Sequence, residues 1–374
     1  MAKPRQKTLS ICIPTYNRPE CMRESLQNYL GVLMQHRLLG EVEICISDNS
    51  PSRETERVVK EFSKKLCIRY FRNKKNLRYD KNVILALSLA SGKFIQLVGD
   101  ELSYSGSAME AAVGIMKRNA CDAALFDDDR LFPASTAPTM KSGREVWGKA
   151  LSYKWVLNRS ITHIDYVAIR RQDFLDYLEM LGTRVEGFYG LIFIQLSFYF
   201  FALKRCKRVC VLDRVNAPRG QSIPKKVGVY FPSDDARVFY CKYFQVFREC
   251  RETGILTDAD YGKFKRGFAL SAANHLLRIR THMHPRIYSQ EIAEVQKNIT
   301  LVEREYPIGL CRAWLFLLRK ILFIRAIPYH WLYQAFDIFR SRVLGKPRAS
   351  ALELYDMCLD GKKMEKSSLQ KTDF

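Results

Sequence analysis

The chain has 374 residues, of which 47% are hydrophobic, so it can bury a core and a largely disordered protein is excluded. Its 61 Lys and Arg against 39 Asp and Glu give a formal net charge of +22, which favours anionic partners such as phosphates, nucleic acid or acidic lipid headgroups. Eleven cysteines without a CxxC pair indicate neither a zinc site nor a disulfide framework.

Membrane insertion and secretion are not expected from the apolar pattern. No apolar run reaches the roughly 20 residues of a spanning helix, and the first residues lack the apolar stretch of a signal peptide. A reducing, cytosolic setting therefore fits the chain best.

The first 130 residues alternate between short apolar runs and segments with helical spacing. Strands are predicted at residues 9–14, 42–47, 67–72, 93–98 and 121–126. A helix is predicted after Pro19, which suits a first helical turn, and another over residues 82–90. Short strands separated by such helices predict an α/β fold in which the strands pair in parallel through right-handed crossovers.

Polar motifs follow the first four predicted strands. In a parallel sheet ligands bind beyond the carboxyl ends of the strands, and these ends read PTYNR, SDNS, NKKNLRYDKN and GDEL. The first turn has no GxGxxG and the chain has no GxxxxGK[ST], which argues against a dinucleotide oxidoreductase and a P-loop NTPase. Another kind of nucleotide site is indicated.

These four motifs, in this order over residues 8–130, resemble the nucleotide-sugar-binding half of a GT-A glycosyltransferase of family two. The branch they resemble most makes bacterial surface polysaccharides such as O-antigen. The resemblance implies a Rossmann-like, mostly parallel sheet with helices on both faces, a nucleotide-diphosphate sugar as donor, and a divalent metal, Mn²⁺ or Mg²⁺, on its diphosphate. It also implies donor contacts by Pro14, Thr15, Tyr16, Asn17, Arg18, Asp48, Asn76, Arg78, Asp80, Asn82 and Asp100.

The acidic motif departs from the family pattern. Relatives read Gly-Asp-Asp-Asp, whereas this chain has Gly99, Asp100, Glu101 and Leu102. An extended strand would point the two acids to opposite sides, so we expect Glu101 to bind the metal and Asp100 to meet a ribose or a backbone N–H. A solvated turn with two acids is the alternative.

Structural alternatives stand beside the other donor contacts. Asp48 can form an Asx-turn or cap the next helix, and Tyr16 can stack on a base or simply pack. Asp80 and Asn82 can cap their own helix. Arg78 stands where relatives often have Gly, and it can touch a phosphate or lie on the rim of the fold.

An inverting transfer also needs a general base, which the family places in the second half of the catalytic domain. Glu186 is the main candidate, with Asp100 as a further catalytic candidate and His163 as an alternative base. Asp127 and its two acidic neighbours can face the sugar or form a solvated loop. Arg219 is a weak candidate for a diphosphate contact.

The rest of the chain predicts an acceptor half and a helical region. Residues 188–203 carry no charge and predict a buried helix. The predicted domains are residues 1–130 for the donor half, 131–230 for the acceptor half, 231–358 for a helical C-terminal region and 359–374 for a disordered tail. Residues 309–348 combine cations with aromatic rings, which is typical of interfacial membrane helices or of a helical subdomain with a basic face.

The expected function is transfer of a sugar to a glycan or lipid-linked glycan acceptor. The protein is expected in the cytoplasm, peripherally bound to an anionic membrane surface at the inner face of the plasma membrane. A sugar-nucleotidyltransferase is an alternative, although the Gly-rich phosphate loop of that class is missing. A catalytically silent GT-A binding protein is another. Nucleic acid is not an expected partner because the positive charge is not concentrated in a known module.

Overall fold

Eight strands form one sheet in the computed structural model, which describes residues 6–101, 104–127, 138–150, 166–213 and 242–264. The strands are β1 Leu9–Thr15, β2 Val42–Asp48, β3 Ile68–Arg72, β4 Phe94–Leu97, β5 Ala123–Asp127, β6 Thr139–Ser142, β7 Val167–Arg170 and β8 Arg208–Asp213. Their order across the sheet is β3-β2-β1-β4-β7-β5-β8-β6.

Within the residues that the structure describes, eight α-helices and one 3₁₀ helix with both ends defined connect and cover these strands. The helices are α1 Pro19–Gln35, α2 Glu54–Phe62, α3 Arg78–Ser88, α4 Gly106–Lys117, α5 Gly143–Ala150, α6 Arg171–Leu181, the 3₁₀ helix Gly182–Phe188, α7 Ile194–Arg205 and α8 Tyr243–Glu252. Pro19 occupies the first turn of α1, as predicted. Helix α3 begins at Arg78, four residues before the predicted start, so Asp80 and Asn82 lie inside its first turns.

The first four strands confirm the predicted parallel winding. β1 pairs in parallel with β2 and β4, and β2 pairs in parallel with β3. Every residue of β2 is buried, as expected for a central parallel strand covered on both faces. The register aligns Thr15 with Asp48, and Asp48 with Arg72, so the carboxyl ends of three strands are level.

The second half of the sheet contains a reversal that we did not predict. β7 lies between β4 and β5 and runs antiparallel to both, while β5 pairs in parallel with β8. β7 has four residues, Val167–Arg170, and such a short apolar run gives little signal in sequence. The sheet is therefore mixed and mostly parallel.

The core lies on both faces of the sheet. One apolar cluster joins Ile11 and Ile13 of β1 to Met22 and Leu26 of α1 and to buried residues of α2 and α4. Helix α3 is not part of this cluster and contacts β1, β2 and β4, so it covers the other face. Helix α7 is buried from Ile194 to Leu203, which confirms the predicted buried helix.

A buried carboxylate joins the amino ends of three strands, opposite the predicted site. Glu43 is 1% exposed and accepts hydrogen bonds from Ser10 Oγ at 2.6 Å and from the N–H groups of Ser91 and Gly92 at 2.6 and 3.0 Å. Arg69 Nε lies 3.0 Å from its other oxygen. A Cβ on Gly92 would lie 2.9 Å from the backbone nitrogen of Ser10, which explains the glycine before β4.

Glu43→Gln is expected to lower the free energy of unfolding by about 2 kcal/mol at neutral pH, since hydrogen bonds to charged groups are worth more than neutral ones. Burial raises the pKa of the Glu43 carboxyl, but the bonds from Ser10 and Ser91 and the charge of Arg69 outweigh it and lower the pKa below its ordinary value. Such a group stabilises the fold above its unfolded pKa, and the contribution is lost as pH falls through the folded pKa. Denaturant unfolding at several pH values should therefore show the difference between wild type and variant shrinking below about pH 4; a constant difference would contradict this role.

Several predictions fall on residues that the structure does not describe. They are Leu102, His163, Arg219, residues 309–348 and the tail 359–374. None of the helices in the described part of the chain combines the length and the apolar character needed to cross a bilayer.

Candidate functional site

The turn after β1 carries the first group of predicted donor contacts. Pro14 is still in the sheet, opposite Ser47, and Thr15 is buried. Asn17 has a left-handed backbone with φ of 54°, and its N–H donates to Ser50 Oγ at 2.8 Å. Asn is among the residues that tolerate this conformation best. Tyr16, the first residue of this turn, is half-exposed beyond the carboxyl end of β1.

Arg18 joins this turn to the acidic motif after β4. Its Nη1 lies 2.8 Å from Asp100 Oδ1, and its Nη2 lies 3.1 Å from Glu101 Oε2. Strand β4 ends at Leu97, so the two acids are no longer on an extended strand and both face one guanidinium. The expectation that they point to opposite sides does not apply to this turn.

Asp100 is held in place from several directions. Thr15 Oγ1 donates to its Oδ2 at 2.7 Å, Ser25 Oγ donates to its carbonyl at 2.8 Å, and its side chain is 6% exposed. Burial raises the pKa of the Asp100 carboxyl, against the opposing effect of the Arg18 charge and the Thr15 hydroxyl. Burial lowers the pKa of Arg18, but the two carboxylates outweigh it and raise that pKa. The two groups that donate to the Asp100 carboxylate are thus the Thr15 hydroxyl and the Arg18 guanidinium. We had expected a ribose or a backbone N–H as its partner.

Whether a divalent ion fits this site depends on the carboxylate of Glu101. Both oxygens of Asp100 already accept hydrogen bonds, whereas Glu101 is 41% exposed and bonds to Arg18 through Oε2. Within the described ranges no third His, Cys, Asp or Glu joins them in a metal-binding group. Since Mg²⁺ is commonly held by one or two carboxylates together with substrate phosphates, Glu101 fits an ion that is shared with a diphosphate.

Asp48, at the end of β2, is closed off from solvent. It is fully buried, its Oδ1 accepts the N–H of Ser50 at 2.8 Å, and its Oδ2 accepts the hydroxyl of Tyr70 at 2.7 Å. The first bond is the Asx-turn that we gave as an alternative. The second alternative, a helix cap, is wrong, because the residue that precedes α2 is Arg53 and no side chain caps that helix end.

Asn82 links three strand exits and does not cap its helix. Its Oδ1 accepts from Ser47 Oγ at 2.7 Å and from Asn73 Nδ2 at 3.1 Å, and its Nδ2 donates to the carbonyl of Thr15 at 3.2 Å. The side chain is buried. This network fixes the spacing of the exits of β1, β2 and β3.

The start of α3 explains the glycine that relatives often have at position 78. Arg78 has a φ of 62°, in the left-handed region that Gly adopts without strain, and Asn76 Oδ1 accepts its N–H at 2.8 Å. Its side chain is exposed. Arg78 therefore places an exposed cation at a rim position where the backbone conformation favours Gly.

Asp80 binds a loop from the second half of the domain. Its carboxylate accepts the N–H groups of Gly190, Ile192 and Ile194 at 2.8, 3.1 and 3.4 Å. Gly190 and Ile192 have φ values of 86° and 58°, so alternate N–H groups turn toward one anion, as in a backbone nest. Burial raises the pKa of the Asp80 carboxyl, and the three N–H groups oppose the rise.

This loop continues directly from the candidate base. Glu186 lies exposed in the 3₁₀ helix, and Tyr189, whose N–H donates to the carbonyl of Glu186 at 3.0 Å, follows it. Lys81 Nζ lies 4.8 Å from the centroid of the Tyr189 ring. The beginning of α3 therefore contacts the segment that carries Glu186, and the role of Glu186 as base stays a prediction.

Sequence reasoning missed Tyr70 and the target of Asp80. Tyr70 alternates with exposed Arg69 and Phe71 in the edge strand β3, which suggests an inward side chain but not its partner. The spacing of Asp48 and Ser50 is the usual Asx-turn signal. Nothing local indicated that Asp80 would bind a loop more than a hundred residues later.

The fold and part of the sequence are similar to those of known proteins. Residues 10–178 match the family model described as Glycosyl transferase family 2. Abequosyltransferase RfbV from Salmonella typhimurium LT2 is 36% identical over 95 residues, which are 25% of this chain and 28% of that relative. The match therefore spans about a quarter of each protein.

Solved structures extend the likeness of fold to most of the chain. The crystal structure of S. aureus TarS residues 1–349 has a TM-score of 0.52 and 18% identity, covering 91% of this chain and 93% of that one. The same protein in complex with UDP-GlcNAc has a TM-score of 0.51 and 16% identity, with the same coverage. This likeness of architecture shows that the chain has the GT-A fold, and the family match shows that residues 10–178 are similar to glycosyl transferase family 2.

Proposed function

We propose that this chain transfers a sugar from a nucleotide-diphosphate sugar to a bacterial surface glycan, with a lipid-linked glycan as acceptor. The observation that carries the proposal is the convergence of the β1 and β4 exits, where Arg18 bonds to both Asp100 and Glu101. The relative named as an abequosyltransferase and the TarS complex with UDP-GlcNAc support a sugar transfer from a nucleotide donor. The donor half is assigned to residues 1–130 and the acceptor half to residues 131–230.

The donor would lie across these exits. Tyr16 offers an exposed ring beside the turn, and Arg18 offers the guanidinium that can turn to the diphosphate oxygens. Arginine suits this task because its planar fork matches the geometry of phosphate. Glu101 would hold the predicted Mn²⁺ or Mg²⁺, and such an ion, when bound, neutralises charge on the leaving diphosphate.

The acceptor side would supply the base. In an inverting displacement the acceptor oxygen forms the new bond to the anomeric carbon while the bond from that carbon to the diphosphate oxygen breaks. The proton of the acceptor hydroxyl passes to a carboxylate, for which Glu186 is our candidate, and the electron pair of the broken bond leaves with the nucleoside diphosphate. Helix α3 belongs to the donor half, and its Asp80 accepts the N–H groups of Gly190 and Ile192. These bonds tie the segment that follows Glu186 to the donor half.

Calorimetric titration of nucleoside diphosphates with and without Mn²⁺ tests the proposal. We expect one diphosphate to bind, and we expect Mn²⁺ to tighten its binding to wild type but not to Glu101→Gln, which keeps the size of the side chain. Glu110→Gln is the matched control, because Glu110 is an exposed acid of α4 paired with His36. The proposal fails if no diphosphate binds, or if triphosphates bind and release pyrophosphate, as a nucleotidyltransferase would require.

Association with the membrane is a separate part of the proposal. The acceptor would be lipid-linked, and the net charge of +22 favours an anionic surface at the inner face of the plasma membrane. In a flotation assay the full chain should rise with vesicles that contain anionic lipid and stay behind with neutral vesicles. Equal flotation with both, or with neither, would contradict this placement.

A further inference from the structure

Tyr70 is the polar group that contacts Asp48 at the end of β2. Its hydroxyl lies 2.7 Å from Asp48 Oδ2, while Ser50 N–H binds Oδ1. Asp48 is 0% exposed, whereas Tyr70 is only partly buried. A nucleobase that approaches this end of the sheet therefore has no free route to the carboxylate.

The direction of this hydrogen bond follows from the chemistry of the two groups. An ionised carboxylate only accepts, so Tyr70 donates its one hydrogen and keeps the lone pairs of its oxygen for another donor. Burial, and then the hydrogen bond to Asp48, raises the pKa of Tyr70 above its ordinary value, so the phenol stays protonated at neutral pH. A phenol that donates to a carboxylate is also polarised, which makes its oxygen a better acceptor.

We propose that Tyr70 is the base-contacting residue of the donor pocket, an assignment that rests on the proposed function. Its oxygen accepts an N–H from the nucleobase, and Asp48 is a positioning residue that acts through Tyr70. This differs from the direct donor contact by Asp48 that the family resemblance implied. The difference arises because Asp48 is closed by Tyr70 and Ser50.

Calorimetric titration of UDP, CDP, GDP, ADP and dTDP tests the assignment, with pyrophosphate as a probe that has no base. Tyr70→Phe removes one oxygen and should weaken the tightest diphosphate about 3- to 10-fold, the effect of one hydrogen bond, while leaving pyrophosphate unchanged. Tyr177→Phe is the matched control, because it removes a phenol oxygen that is bonded to Ser197 at 2.6 Å and buried between α6 and α7. That variant should bind every probe as wild type does.

Asp48→Asn distinguishes a direct contact between Asp48 and the base from a role of Asp48 in positioning Tyr70. It keeps the Tyr70 hydroxyl and an acceptor oxygen, so it should weaken the diphosphate less than Tyr70→Phe does. A larger loss in Asp48→Asn, unchanged or tighter binding in Tyr70→Phe, or an equal loss of pyrophosphate would overturn the assignment while leaving the proposed function in place. If wild type binds none of the diphosphates, the proposed function fails and the assignment fails with it.

Discussion

Replacing Asp80 by alanine is expected to lower the free energy of unfolding by about 2–3 kcal/mol, since a buried unpaired group costs about 1–3 kcal/mol. The substitution leaves the N–H groups of Gly190, Ile192 and Ile194 without their acceptor. Gly190 is exposed and water can replace the lost bond, whereas Ile192 is half-buried and Ile194 is buried. Ile192 also has a left-handed backbone, which is strained for a β-branched residue and needs the surrounding contacts to persist. Removal of a buried carboxylate recovers a part of the cost, so the net loss is smaller than the sum of three. Equilibrium unfolding in urea measures the change.

Two further variants separate this role from a general effect of charge. Asp80→Asn keeps one acceptor oxygen and should lose roughly half as much stability as Asp80→Ala. Asp258→Ala removes a surface acid that is paired with Arg251 and 82% exposed, and it should change stability by less than about 0.5 kcal/mol. Equal losses in Asp80→Ala and Asp258→Ala would show that the loop does not depend on Asp80.

Replacing Arg18 by alanine is expected to weaken nucleoside diphosphate binding roughly 100-fold, the size of a lost charge-assisted hydrogen bond of about 2–3 kcal/mol. Arg18, Asp100 and Glu101 together carry one positive and two negative charges, a net charge of −1. Without the guanidinium the net charge becomes −2, so the site both loses a phosphate donor and repels the diphosphate more strongly. Isothermal titration at two salt concentrations measures the effect, which should shrink at high salt.

The matched control for Arg18 lies on α1. Arg23→Ala makes the same change of charge, but Arg23 pairs with Glu61 of α2, away from the acidic motif. Its diphosphate affinity should stay within about twofold of wild type, the range of a screened surface charge. Arg18→Lys should recover part of the affinity, because an ammonium keeps the charge but cannot bridge both acids as a planar fork does. Comparable losses in Arg18→Ala and Arg23→Ala would place the diphosphate elsewhere.

The donor half of the fold could be predicted because its signals are local. Each of the first four strands is a short apolar run followed by polar residues, and the observed bounds lie within about two residues of the predicted ones, as helix and strand ends usually do. The start of α3 was placed four residues late, because the apolar spacing begins only at Val83 and Asp80 is a weak helix former. The places of Arg78 and Asp80 depend on a strained φ and on a distant loop.

The insertion of β7 between β4 and β5 could not be predicted in the same way. Strand order is decided by which edges remain to be paired, and a four-residue strand carries too few residues to indicate its neighbours. β5 still runs in the same direction as β4, because both are antiparallel to β7, but it does not pair with β4. The antiparallel strand separates the donor half of the sheet from β5 and β8.

The site shows the same division between local and distant signals. The motif order correctly brought Thr15, Arg18 and Asp100 to one edge, because level parallel strands place their exits side by side. The bond from Tyr70 to Asp48 and the partners of Asp80 and Asn82 were not predictable, since each joins groups that are separated by at least one crossover. Donor contacts stay predictions for all of the residues named in the sequence analysis.

A crystal structure of the protein with its tightest nucleoside diphosphate would show where the donor binds. We expect the diphosphate within hydrogen-bond distance of the Arg18 guanidinium, beside Glu101, with the base toward the end of β2. A nucleotide bound away from the exits of β1 and β4, with Arg18 still bridging Asp100 and Glu101, would contradict this expectation.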